Sequence, residues 1–120
     1  MAHILLLDDS SFQLRLLSAM LQQAGHTTVT TQSAQEALEL AADQDLSAIV
    51  TDLNMPEMHG IQFIERLRSD GNVLPVLVAT ADIQAPTRQK CLDAGANAIL
   101  YKPIQEDDLL AELTKALGGS

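Results

Sequence analysis

Aromatic side chains are almost absent: two Phe, one Tyr and no Trp in 120 residues, or 2% of the chain. So few rings leave little to stack on a flavin or on bases, which argues against a flavin carrier and against base reading. The single cysteine, Cys91, cannot close an internal disulfide and suits a reducing, cytoplasmic setting. Positive charge is scarce as well. Seven Lys and Arg face 16 Asp and Glu, a formal net charge of −9, so most of the surface repels a phosphate backbone and direct nucleic-acid binding is not expected. No apolar run approaches the roughly 18 residues of a membrane span, and Met1-Ala2-His3-Ile4 enters an apolar run without a basic segment or a small-residue cleavage site. We expect no membrane association and no secretory signal.

What is present is enough for a core. At 120 residues, 47% hydrophobic and 19% charged, the chain has the make-up of one globular domain, expected over residues 1–120 with 118–120 as a short tail. Apolar runs of strand length alternate with segments of helical period, the βα pattern of a parallel sheet covered on both faces. Ile4 to Leu7, Ala48 to Val50 and Val73 to Val78 are nearly continuous apolar runs, as expected of central strands. Thr27 to Thr31 is half polar and Ala98 to Tyr101 ends in a polar ring, so these two suit the edges. The expected fold is a flavodoxin-like, doubly wound (βα)5 α/β sheet of strand order 2-1-3-4-5.

The helices have their own signals. Phe12, Leu16 and Met20 mark a first helix that stops at Gly25, and Ser10 is placed to cap it. Ser33-Ala34-Gln35-Glu36 reads as a capping box, followed by the stripe Ala34, Ala37, Leu38 and Ala41. Ile61, Ile64 and Leu67 mark a third helix ending near Asp70-Gly71, Pro86 and Gly95 bracket a fourth, and Leu109, Leu110, Leu113 and Leu117 give the fifth its apolar face.

Four charged residues each follow one of the apolar runs: Asp8 and Asp9, Asp52, and Lys102. In an open parallel sheet, ligands bind outside the carboxyl ends of the strands where the strand order switches, here between strands 1 and 3. Carboxylates gathered there raise one another's pKa unless a cation sits among them, so the pattern implies a bound metal ion, with an anion for the lysine. Taken singly, Asp8 and Asp9 fit helix N-terminal acids, Asp52 a turn residue, Lys102 a solvated charge and Thr80 a strand end. Their joint spacing overturns each of these readings.

Asp8-Asp9, Asp52-Leu53-Asn54-Met55-Pro56, Thr80-Ala81 and Lys102-Pro103, in this order across the whole chain, resemble the receiver domain of two-component response regulators, in particular the stand-alone chemotaxis type. The resemblance implies that Asp52 takes a phosphoryl group from a histidine kinase or a histidine phosphotransfer protein. It implies magnesium, held by Asp9, Asp52 and the Asn54 main-chain carbonyl, with Asp8 on a coordinated water. Lys102, the Thr80 hydroxyl and the Ala81 N–H would contact the phosphoryl oxygens, and the Lys102-Pro103 bond would be cis. Such a protein is a phosphoacceptor switch that catalyses its own phosphorylation and autodephosphorylation, not an enzyme with an external substrate. It acts on a downstream protein target through the helix 4, strand 5 and helix 5 face, as a monomer or weak dimer.

Two positions depart from the family pattern. Ile99 stands where receivers usually carry a switch aromatic, and Tyr101, two residues on, is not assigned that role; His59 stands where an acid often precedes the glycine. Asn54 and Asp82, two after the phosphoacceptor and two after the threonine, resemble receivers that lose their phosphoryl group quickly. The alternatives are a magnesium-dependent phosphohydrolase and a receiver excised from a longer regulator. His3, His26 and His59 show no metal-ligand spacing and are read as surface residues. Cys91 is read as a buried small hydrophobe, and Met55 and Met58 as loop packing.

Overall fold

The computed structural model describes residues 1–43 and 45–118, so 119 and 120 of the expected tail lie outside the described residues. Strands β1 (His3–Leu7), β2 (Thr27–Thr31), β3 (Ala48–Thr51), β4 (Val76–Thr80) and β5 (Ala98–Tyr101) form a parallel sheet of order β2-β1-β3-β4-β5. Between and after them run α1 (Ser11–Gln23), α2 (Ala34–Leu40), α3 (Gly60–Ser69), α4 (Ala85–Ala94) and α5 (Glu106–Ala116).

Alternation along the strands splits the apolar residues into two cores. Leu5, Leu7, Ile49, Val76, Val78 and Ile99 meet α2, α3 and α4 through Ala37, Phe63, Ile64, Leu67 and Cys91. Ile4, Leu6, Val50, Leu77 and Leu100 meet α1 and α5 through Leu14, Leu17, Leu21, Leu109 and Leu113. Burial on both faces is why the central strands read as unbroken apolar runs.

Several local readings need correction. The buried stripe of α1 is Leu14, Leu17 and Leu21, whereas Phe12 is 62% exposed and Leu16 and Met20 are only half-buried. Strand β4 begins at Val76, not Val73: the Arg68 guanidinium holds the carbonyls of Asn72 and Leu74 in a loop, and Val73 is exposed. At α2 the Ser33 hydroxyl accepts from the Glu36 N–H at 3.2 Å, but the Glu36 carboxylate accepts from the Thr31 hydroxyl, which leaves half a capping box. The full box occurs at α3, where His59 is the N-cap and Gln62 reaches back to its N–H. Leu117 lies past the end of α5 and is exposed. His3 and His26 are half-buried and hydrogen-bonded, to the Thr27 hydroxyl and the Ala2 N–H.

Candidate functional site

Strand register builds the site. Leu7 lies opposite Thr51, so the next residues, Asp8 and Asp52, leave the sheet side by side. The Asp52 N–H donates to the Leu7 carbonyl at 2.9 Å, the Asp8 N–H to the Thr31 carbonyl at 3.3 Å and the Lys102 N–H to the Thr80 carbonyl at 2.8 Å. Asp8, Asp52 and Lys102 are thus each fixed by one more rung of the sheet ladder.

The side chains converge from there. Lys102 Nζ lies 3.1 Å from Asp8 Oδ2 and 3.5 Å from Asp52 Oδ1. Asp8 Oδ1 accepts from the Ser10 N–H at 2.9 Å and Asp52 Oδ1 from the Leu53 N–H at 2.7 Å. Asp8 and Asp52 are buried while Asp9 is exposed, and one carboxylate oxygen from each of the three lies within 4.8 Å of the others. Among the described residues this is the only grouping of His, Cys, Asp or Glu with metal-ligand spacing.

Burial pushes the Asp52 pKa up, and the Asp8 charge adds to the rise; Lys102 and the Leu53 N–H oppose it without cancelling it. With burial as the largest cause, the Lys102 ammonium only partly offsets the cost of a charged Asp52. The donors are all oxygens, the set that suits a hard divalent cation such as magnesium and not a soft metal.

Thr80 ends β4, buried, with its hydroxyl accepting from the Asp82 N–H at 3.0 Å. The Asp82 carboxylate turns away from the acidic trio: Oδ1 accepts from the Gln84 N–H at 2.9 Å and Oδ2 from the Thr87 hydroxyl at 2.8 Å. These two bonds hold the Asp82 carboxyl below the ordinary carboxylate range. Asn54 and Ala81 are exposed on the loops following Asp52 and Thr80. The Lys102-Pro103 bond is cis, as expected. Ile99 is buried in the core beside α4, and Tyr101 is exposed, with its hydroxyl 3.5 Å from an Arg88 nitrogen.

Three contributors went unnoticed in the sequence. A Cβ on Gly60 would collide with the Asp52 carbonyl and lie 2.8 Å from Leu53 Cα, so glycine is what lets α3 start against the Asp52 loop. Glu57 accepts from the Ala34 N–H at 2.8 Å and ties that loop to α2. Thr87 fastens Asp82. In the sequence Gly60 stood only as the residue after His59, and its close approach to Asp52 and Leu53 depends on how the intervening loop folds back.

A family model described as the response regulator receiver domain matches residues 4–114. The sensor histidine kinase RcsC of Escherichia coli is 33% identical over 111 residues, which cover 92% of this chain and 12% of RcsC. Response regulator MprA of Mycolicibacterium vanbaalenii is 37% identical over 114 residues, covering 95% of this chain and 49% of MprA. The chain therefore spans about an eighth to a half of the length of these two relatives. Among solved structures, the chemotaxis protein CheY4 of Vibrio cholerae superposes with a TM-score of 0.89 at 31% identity over 97% of this chain and 98% of that one. The family match over nearly the whole chain, joined to the strand order and the carboxylates at its switch point, shows that this chain belongs to the receiver domains of two-component response regulators.

Proposed function

We propose that Asp52 is the phosphoacceptor and that the acidic cleft and Lys102 are its machinery. The observation that carries this is a buried carboxylate within 3.5 Å of a lysine and in reach of two further carboxylates, at the carboxyl end of a central strand. An Asp52 oxygen attacks the phosphorus of a phosphohistidine on a histidine kinase or histidine phosphotransfer protein. The new P–O bond forms as the P–N bond breaks, and the imidazole leaves with a proton from solvent. Phosphoryl transfer of this kind needs positioning and charge stabilisation more than a dedicated base.

Lys102 supplies a compact positive charge to one phosphoryl oxygen, and the Thr80 hydroxyl and Ala81 N–H donate to others. Asp8, Asp9, Asp52 and the Asn54 carbonyl would hold magnesium, which when bound neutralises the carboxylates and the incoming phosphoryl oxygens. A receiver domain of a Pseudomonas aeruginosa sensor histidine kinase, 28% identical and with a TM-score of 0.89, has a magnesium ion coordinated in its active-site cleft. Water arriving along the same line later releases phosphate, and Asn54 and Asp82, on the loops after Asp52 and Thr80, set how fast it does so. The protein is a switch that turns over its own phosphoryl group, works in the cytoplasm, and presents α4, β5 and α5 to a protein target.

We read residues 1–120 as one domain. That the chain covers only 12% of RcsC and 16% of RpfC from Xanthomonas campestris favours a second reading, in which this domain is one module of a longer kinase or regulator. Phosphate release separates a switch from a hydrolase. With p-nitrophenyl phosphate and magnesium we expect no steady turnover, and with phosphoramidate one phosphoryl group per chain. Sustained hydrolysis of the phosphomonoester would overturn the switch assignment.

A further inference from the structure

We propose that Asp82 is a latch that couples Thr80 to the first turn of α4, so that in this chain the phosphorylation signal leaves the site through α4 and not through an aromatic on β5. The proposal rests on the reading of Asp52 as phosphoacceptor. Three hydrogen bonds make the connection: Asp82 N–H to Thr80 Oγ1 at 3.0 Å, Gln84 N–H to Asp82 Oδ1 at 2.9 Å, and Thr87 hydroxyl to Asp82 Oδ2 at 2.8 Å. One residue thus holds the threonine hydroxyl with its backbone and the helix start with its carboxylate.

The helix is built to depend on that hold. Its N-cap residue, Gln84, makes no side-chain cap bond; the Asp82 carboxylate instead holds the Gln84 N–H and the Thr87 hydroxyl, an acid near the positive end of the helix. Residues 83–86 and 88–90 are exposed, and Cys91 is the one buried side chain of α4. The far end, by contrast, is pinned: Arg68 Nη2 and Nε donate to the Gly95 carbonyl at 2.8 and 3.3 Å. A helix fixed at its C-terminus and latched at its N-terminus responds to loss of the latch by loosening its first turn. The route through β5 is poorly equipped, since Ile99 is a buried aliphatic residue and the exposed Tyr101 meets Arg88 of α4 through a long hydrogen bond of 3.5 Å.

Drawing the Thr80 hydroxyl toward a phosphoryl group on Asp52 takes away the acceptor of the Asp82 N–H. The segment 81–84 then loses its anchor, and Asp82 releases Gln84 and Thr87. Beryllofluoride with magnesium is the probe, read two ways on the full chain: fluorine NMR reports the bound ion, and amide hydrogen exchange reports α4. In the parent we expect bound beryllofluoride to speed exchange of the Gln84 and Arg88 amides, which donate to Asp82 Oδ1 and the Gln84 carbonyl, roughly 5- to 10-fold, the size of effect that loss of one hydrogen bond produces. In Asp82→Ala and Thr87→Val these amides should exchange fast from the outset and gain little on binding, while Thr87→Ser, which keeps the hydroxyl, should restore the parent response. Bound beryllofluoride without a change at α4, or a parent-like response in Asp82→Ala, would overturn the latch alone. Failure to bind would overturn the Asp52 assignment and the latch with it.

Discussion

At Lys102 one ammonium answers two buried carboxylates, at 3.1 Å from Asp8 and 3.5 Å from Asp52. Lys102→Met keeps the apolar stem and removes the charge, so the metal-free protein should lose about 1–3 kcal/mol near neutral pH, the range for stranding a buried polar partner. Urea denaturation measures it. The loss should shrink as pH falls, because Asp52 then takes a proton in place of its partner. In the parent, the raised Asp52 pKa means that the folded state binds this proton more tightly than the unfolded chain, whose ordinary value is 3.8. The contribution of Asp52 to metal-free stability is therefore full below 3.8 and is lost as pH rises through the raised value. Asp82 runs the other way: its lowered pKa gives a contribution present above 3.8 that fades only as pH drops through the lower value. Asp52→Asn should remove the first of these slopes and leave the second. A stability difference between parent and Asp52→Asn that did not vary with pH would contradict this.

Among the elements, α3 is the one whose start is set by the site. The Gly60 N–H donates to the Leu53 carbonyl at 2.7 Å, and an added Cβ would run into the backbone of Asp52 and Leu53. Gly60→Ala should cost about 1–3 kcal/mol, as overpacking against backbone does, and should weaken magnesium binding by moving Asp52. Urea denaturation and a magnesium titration check the two effects, and a variant with parent values in both would contradict the close approach. The sequence showed that α3 exists but not this constraint. The same boundary of legibility appears in α1, where Phe12, Leu14, Leu16, Leu17, Met20 and Leu21 put apolar groups on nearly every side, so period alone could not choose the buried stripe. It appears again before β4, where an apolar run begins at Val73 although Arg68 holds that stretch as loop. Where alternation and sheet position agreed, as in β1 and β3, sequence and structure match because burial on both faces leaves little choice of residue.

At the scale of the molecule, a strand order that switches between β1 and β3 puts Asp8, Asp9 and Asp52 at one end of the sheet, and a chain of net charge −9 adds a long-range attraction for cations. This level was legible from sequence, since it needs only the ends of apolar runs. The partners of each carboxylate oxygen were not, because they depend on N–H groups placed by folding. Magnesium should stabilise the fold by mass action, by about 2.7 kcal/mol at a hundredfold excess over Kd. Asp9 is exposed, so Asp9→Ala should change metal-free stability by no more than about 0.5 kcal/mol and should abolish most of the magnesium effect. Thermal unfolding with and without magnesium would show both, and full retention of the magnesium effect would contradict the assignment of Asp9. The most direct test of the central claim is intact mass after incubation with acetyl phosphate and magnesium, for the parent and Asp52→Asn. The account predicts one acid-labile phosphoryl group on the parent, not formed when the metal is chelated beforehand and absent from the variant. An equal adduct on Asp52→Asn, or none on the parent even with phosphoramidate and rapid quenching, would contradict it.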